Sequence, residues 1–354
     1  MAPRCLGLPT GPAEACYQVY RYADLSVASA WPLPELLRVQ PLPSVSPDIT
    51  IGPLPAPPPE PGRSDWIHHW PDESGAMSLG RSGEGNDLLL RFPGLADFVI
   101  LEDGRSLGAW PAPETRTETL RHLLLDQVLP RVLAQQGRLV LHAGAVRVGQ
   151  QAIAFIGETG RGKSTLTASF HAAGFPLLSD DGLVLTQGED TALARPTYPS
   201  LRLWPEAVAG LYARAPDVAP MAHYSTKRRV IMKDITVRSS LPLAALYVLA
   251  AEMEDDAGSI SLTRLSPSAA CMEIISNSFL LNVTDRRRAM GLLTVAGRIA
   301  EQLPVFSLAY PRRFACLPSV REAIVRQQRC LSATSDTDSA GLVEDMNSLR
   351  AVRS

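Results

Sequence analysis

Lysine is almost missing from this chain. Lys163, Lys227 and Lys233 are its only lysines, which leaves 34 − 3 = 31 basic residues as arginine. A GC-rich coding sequence accounts for that bias, and it makes the position of each lysine worth examining. An excess of either charge is missing too, since 34 basic and 36 acidic residues give a net charge of −2. A chain so balanced has no global field to draw in a polyanion. Nucleic acid is therefore not an expected partner, and any anion site must be local. Cysteine is scarce and odd in number. Cys5, Cys16, Cys271, Cys316 and Cys330 make no C-x-x-C pair and no zinc-ligand spacing, which excludes a disulfide framework and reads as free thiols in a reducing cytosol. Long apolar runs are absent as well. Leu241 to Ala251 is the longest, well short of the ~20 residues that span a bilayer. The start, MAPRCLGLPTGP, lacks a basic residue cluster followed by an apolar core, so no signal peptide is expected. These absences together predict a cytoplasmic protein without a membrane partner.

What is present is enough apolar residue, 45% of 354 positions, to bury more than one core. Residues 15–30 read as a strand. Residues 32–62 carry a run of prolines, including Pro53, Pro55, Pro57, Pro58, Pro59 and Pro61, and read as an extended loop or linker. Short β-like runs follow at Trp66–Trp70, Asp87–Phe92 and Asp97–Leu101, the last closed by an Asp103-Gly104 turn. Leu120, Leu123, Leu124, Gln127, Val128 and Val132 then recur at helical spacing up to Gly137. The expected organisation is a β-rich N-terminal domain with its Pro-rich linker over 1–112, an α/β domain over 113–330, and a polar, disordered tail over 331–354. No internal repeat is evident.

The chemistry concentrates in the second domain. Gly157-Glu158-Thr159-Gly160-Arg161-Gly162-Lys163-Ser164 satisfies G-x-x-x-x-G-K-[ST]. Glycines let backbone N–H groups turn inward around phosphate oxygens, and the helix that follows points its positive end at them. Lys163 adds a charge for the β- and γ-phosphates, and the Ser164 hydroxyl can reach Mg²⁺. The context agrees: an apolar strand, AIAFI, comes before the loop and a helix, STLTASFHAA, comes after it with Gly174 at its stop. Gly157 to Thr165 is therefore the candidate nucleotide-binding segment.

Asp180 and Asp181 end the next strand, FPLLS. A carboxylate there can hold the metal while its neighbour accepts a proton from an attacking hydroxyl. His142 precedes Ala143-Gly144-Ala145 on the strand that a Gly149 hairpin joins to the loop-bearing one. That hairpin sets His142 level with the start of the loop. His68, His69, His122, His171 and His223 have no such placement and read as structural or surface residues. The basic run Tyr224 to Arg229, with Lys227, reads as a mobile loop able to close over phosphates or as a solvated turn. Arg202 reads equally as a phosphate contact or as a structural ion pair.

The segment LHAGAV, IAFIGETGRGKSTL, FPLLSDDGLVL, over roughly residues 138–186, resembles the catalytic domain of HPr kinase/phosphorylase, whose wider fold relative is ATP-dependent phosphoenolpyruvate carboxykinase. The chain also looks like the HPr-kinase-like proteins found beside lasso-peptide biosynthesis genes, through YRYADLSVAS, RFPGLADFVI and ETLRHLLLDQVLPRVL. The resemblance implies a P-loop kinase domain of the HPr kinase/phosphoenolpyruvate carboxykinase type. It implies ATP and Mg²⁺ as cofactors, and a serine of a peptide or small protein, a lasso-peptide precursor above all, as acceptor. It further implies Lys163 and Ser164 as nucleotide and Mg²⁺ residues, Asp180 as the base, Asp181 as its supporting neighbour at the metal, and His142 beside them. Three positions depart from the family pattern. Thr159 replaces a loop serine, Thr165 replaces a glutamate, and the later Glu-x-Arg-Gly signature has as its nearest match Ser200-Leu201-Arg202-Leu203-Trp204, which lacks a carboxylate. Two other readings stay open: a nucleotide-binding regulatory module, and a small-molecule kinase on the same fold. A homo-oligomeric state also stays open.

Overall fold

The computed structural model of the protein describes residues 17–40, 45–70, 77–83, 86–189, 191–214, 216–231, 237–250 and 260–331. Cys5, Cys16, Lys233, the start of the chain and the expected tail from residue 332 onward lie outside these. Cys271 and Cys316 are free thiols. Among the described residues no helix is long and apolar enough to cross a membrane.

Nine strands build the first sheet: β1 (Gln18–Tyr22), β2 (Leu25–Ser29), β3 (Leu37–Arg38), β4 (Ile49–Pro53), β5 (Trp66–Trp70), β6 (Met77–Arg81), β7 (Leu88–Phe92), β8 (Ala96–Ile100) and β9 (Ser106–Pro111). Their order is β3-β1-β2-β4-β9-β8-β7-β6-β5. The Asp103-Gly104 turn joins β8 to β9, with Gly104 at φ +64°. Two expectations are corrected. Of the stretch 15–30, Gln18–Ser29 form a hairpin rather than one strand, because Ala23 at φ +53° reverses the chain between β1 and β2. The Pro-rich stretch is not all linker either. It contains β4, which lies inside the sheet, parallel to both β2 and β9. Ile49 and Ile51 are fully buried there, Pro53 takes only the last position of the ladder opposite Ala109, and Pro47 and Pro55 lie outside it.

The predicted helix forms as α1 (Thr117–His122), a π-helical turn (Leu123–Val128) and α2 (Leu129–Gln135), without a break. The Leu129 N–H reaches back to the Leu124 carbonyl, five residues earlier. Pro130 explains the wider spacing, since it has no N–H and its ring crowds an α-helical turn. The apolar stripe of this helix, Leu124, Val128 and Val132 included, shares one core with Tyr22, Ile49 and Phe98 of the first sheet.

The second sheet takes β10 (Leu139–Leu141), β11 (Gly144–Val148), β12 (Gln151–Ile156), β13 (Leu177–Ser179), β14 (Leu183–Gln187) and β15 (Ala192–Pro196). After β16 (Arg202–Leu203), β17 (Val218–Ala222) and β18 (Ser225–Val230), which form a three-stranded sheet of their own, it is completed by β19 (Leu241–Leu249), β20 (Ser261–Arg264) and β21 (Val305–Ala309). The order β10-β14-β15-β19-β12-β11-β13 sets β12 beside β19 in parallel, and β21 pairs with the far half of β19. On one face α5 (Pro267–Ser276) and α6 (Arg286–Gln302) pack on Leu141, Ile156 and Val305. On the other, α3 (Lys163–Ala172), α4 (Pro205–Leu211) and the helical residues 317–331 cover Ile153, Phe155 and Tyr247.

Two further differences bear on the site. Arg138–Val148 is not one strand. β10 pairs with β14 while β11 pairs with β12 and β13, so the chain leaves one partner for another at His142-Ala143. And Tyr224–Arg229 is no loop: Ser225 to Val230 are β18, the middle strand of the three-stranded sheet.

Candidate active site

The loop between β12 and α3 is shaped by its glycines. Gly157 sits at φ +141°, with the Leu249 carbonyl only 3.0 Å from where a Cβ would be, and Gly162 caps α3 at φ +86°. Only glycine accepts both the conformation and the close approach. Lys163, the first residue of α3, folds back over the loop. Its Nζ donates to the carbonyls of Gly157 (2.6 Å) and Glu158 (3.1 Å). Burial lowers its pKa, against the pull of Asp181 and Asp180. Glu158, Thr159 and Gly160 are exposed, and Arg161 pairs with Glu158 at 2.5 Å. Ser164 and Thr165 are half-buried on the first turn of α3. The loop is fixed from outside by Asn277, which follows α5. Its side-chain oxygen accepts the Gly157 N–H (2.8 Å), and its carbonyl accepts the His142 N–H (2.8 Å). No sequence signal pointed to Asn277.

β13 stops at Ser179, so Asp180 and Asp181 stand beyond the strand end, where both can turn to one side. Asp180 is buried. One of its oxygens accepts the Arg202 N–H (2.9 Å), and the other is buried with no hydrogen-bond partner. The Ser164 hydroxyl lies near enough to this carboxylate to favour its charged form. Burial, and then the neighbouring Asp181 charge, push the Asp180 carboxyl up to about 7, although Arg202 and Ser164 oppose the rise.

Asp181 is held by two neighbours. His142 Nε2 lies 3.0 Å from its Oδ1, and a guanidinium nitrogen of Arg202 pairs with Oδ2, so both oxygens are engaged. Burial resists its ionisation, but Arg202 and His142 outweigh it and hold the carboxyl below its ordinary value. His142 leans on the Phe279 ring, with centroids 5.9 Å apart. Its pKa is lowered by burial, with Lys163 and Arg202 adding to the effect against Asp181.

Arg202 turns out to be an ion-pair residue. It spans Asp181 and Asp126, the latter lying on the π-helical turn. Asp126 also pairs with His122 Nδ1 (2.7 Å), accepts the Tyr198 hydroxyl and lies 3.7 Å from Arg229. Burial resists its ionisation, but Arg202, His122 and Arg229 hold its carboxyl well below the ordinary range. Arg229 continues to Glu35 (3.0 Å), which also binds Arg121 (2.9 Å). The basic run thus points one arginine inward, whereas Lys227 lies over the Trp204 ring at 5.1 Å. Sequence reasoning missed Asp126, Tyr198 and Glu35. The one available signal was the single carboxylate inside the apolar stripe of a helix.

No protein-family model matches the chain, and no curated protein sequence matches it. Among solved structures, the Hpr(Ser) kinase/phosphatase from Coxiella burnetii is similar at 15% identity and a TM-score of 0.30, over 54% of this chain and 96% of that one.

Proposed function

We propose that the protein is an ATP-dependent kinase that moves the γ-phosphate to a serine hydroxyl of a peptide or small protein, with a lasso-peptide precursor as the sharpest candidate acceptor. The observation that supports this reading is the buried carboxylate of Asp180, close enough to Lys163 at the start of α3 for their charges to act on each other, with one oxygen that has no partner. A simple nucleotide binder needs the loop and the lysine. It has no use for a buried carboxyl near neutrality with one oxygen left unpartnered, which is costly to keep.

In this reading the loop amides and Lys163 hold the β- and γ-phosphates. The acceptor oxygen attacks the γ-phosphorus in line, the bond to the β,γ-bridging oxygen breaks, and ADP leaves with that electron pair. The hydroxyl proton passes to the free oxygen of Asp180. A carboxyl at about 7 is well matched to take it at neutral pH. His142 and Arg202 keep Asp181 in place, so that its charge bears on Asp180. Mg²⁺ fits as a companion of the nucleotide. Among the described residues no group of three His, Cys, Asp or Glu can hold a metal unaided, and magnesium is commonly held by few protein oxygens plus phosphates. Ser164 would hold it, and it would supply charge neutralisation along the phosphates.

The test is transfer of labelled γ-phosphate from Mg²⁺-ATP to a panel of serine peptides, with Asp180→Asn as control. Label on a peptide serine, reduced at least ~10²-fold in the variant, is the expected result. Tight ATP binding with no transfer to any peptide would overturn it in favour of a nucleotide-binding regulatory module or a small-molecule kinase.

A further inference from the structure

The motif-level reading leaves the buried charges around Asp126 without a task. They occupy the interior between the first sheet and the loop-bearing sheet. Arg202 is their hub: its backbone N–H binds Asp180, one guanidinium nitrogen binds Asp181, and the other binds Asp126. A guanidinium is planar and rigid, so fixing one end of the fork fixes the other. Asp126 is itself fixed by His122 from its own helix, by Tyr198 from the segment before β16, and by Arg229 from β18. It cannot follow Arg202 if Arg202 shifts.

We propose that Asp126 is a positioning residue for the transfer reaction: it holds half of the Arg202 guanidinium away from the aspartate pair, so that the other half fixes Asp181 and Asp180 keeps an oxygen free for the acceptor proton. This rests on the kinase reading of the loop and of Asp180. One observation supports it beyond the contacts themselves: the turn before β3 invests in the same cluster, because its Glu35 pairs with Arg229 of β18. A cluster serving only to pack the helix could be apolar at lower cost.

Asp126 is in turn surrounded by His122, Tyr198, Tyr22, Arg202 and Arg229. Removing its charge leaves the Arg202 guanidinium with carboxylates on one side only, so the whole fork turns toward Asp181 and the free oxygen of Asp180.

The decisive experiment compares wild type, Asp126→Asn and Asp126→Glu by two readouts. One is kcat, KM and ATP affinity in peptide phosphorylation. The other is the crystal structure of each nucleotide-free protein, read at Arg202 and the aspartate pair. In Asp126→Asn the Arg202 guanidinium is expected to leave residue 126 and close on Asp181 and the free oxygen of Asp180, kcat to fall about tenfold, and ATP affinity to stay within about twofold. Asp126→Glu should recover part of kcat and the wild-type place of the guanidinium. A folded Asp126→Asn protein with Arg202 in its wild-type place, or with kcat unchanged, would overturn the proposal, since a merely structural role lowers stability without moving either. If Asp126→Asn does not fold, Glu35→Gln tests the same point. It releases Arg229 toward Asp126, should displace Arg202 and lower kcat in the same direction by a smaller amount, and overturns the proposal if it does neither. Failure of the wild-type protein to phosphorylate any peptide defeats the kinase reading alone, because the place of Arg202 in the variants still decides whether Asp126 holds the guanidinium.

Discussion

The hydroxyl of Tyr22, on the first sheet, donates to the backbone carbonyl of Leu125, on the π-helical turn, at 2.7 Å. In the i→i−5 register seen at Leu129 and Leu124, the partner of the Leu125 carbonyl would be the N–H of residue 130, and residue 130 is a proline. The tyrosine supplies the donor that the proline lacks. Its ring is fully buried 6.0 Å from Tyr198, and Tyr198 bonds to Asp126. A residue of the first sheet therefore completes the backbone that carries the carboxylate behind the site.

Tyr22→Phe keeps the ring and removes only this donor. The carbonyl is then buried and unsatisfied, which costs about 1–3 kcal/mol. Chemical denaturation should show a loss of that size with an unchanged m-value. A loss below about 0.5 kcal/mol would mean that water or another donor already serves Leu125.

Asp180 gives a signed pH prediction. Its carboxyl is raised from an ordinary 3.8 to about 7 in the folded protein, mainly by burial and by Asp181. The folded state therefore holds a proton that the unfolded chain has already released, so its contribution declines as pH rises from about 4 and is lost once pH passes about 7. Asp180→Asn cannot ionise and escapes that loss. The melting temperature of the variant relative to wild type should be higher at pH 8 than at pH 5, by about 2 °C or more. A constant difference across that range would show that Asp180 is already ionised at pH 5.

How much of this could be seen in the sequence follows from how local each feature is. The loop from Gly157 to Ser164, the helix after it, the aspartate pair and His142 lie within one strand-loop-helix-strand unit, where spacing and turn residues speak for themselves. The structure brings those residues together. Asp126 was hidden because its partners, Tyr198, Arg202 and Arg229, come from distant segments, and on its helix it appears only as a polar gap in a stripe of leucine and valine. The same limit hid β4. Prolines on either side of Ile49 to Pro53 carry the local signal for a loop, while the burial of Ile49 and Ile51 between β2 and β9 is a tertiary fact. The switch of sheet partners at His142 was invisible for a like reason. An apolar run reads as one strand whether it keeps one neighbour or takes two.

Lys163→Ala tests the loop assignment directly. The ammonium is the only lysine charge on α3, and it lies across the Gly157 and Glu158 carbonyls at the mouth of the loop. Its loss should weaken ATP binding by at least ~100-fold in calorimetric titration, on the scale of a desolvated charge-assisted contact. Because the wild-type ammonium bears the cost of burial, the apo variant should not be markedly less stable. Unchanged ATP affinity would remove the loop from the nucleotide site.

The last prediction concerns how β11 meets α3. A Cβ on Gly144 would fall 2.0 Å from the Thr167 hydroxyl oxygen and 3.1 Å from its Cβ. That hydroxyl is not free to swing away, because it donates to the Lys163 carbonyl at 2.9 Å. Gly144→Ala must therefore push α3 off the sheet or break the Thr167 bond. Overpacking of this kind costs about 1–3 kcal/mol. Since the displaced residue is one turn from Lys163, nucleotide affinity should fall together with stability. The double variant Gly144→Ala, Thr167→Ala removes the colliding oxygen and should recover most of both losses, giving a coupling energy of at least ~1 kcal/mol in a double-mutant cycle. Additive effects would instead place the harm of the alanine in the β11 backbone and not in its contact with the helix that carries Lys163.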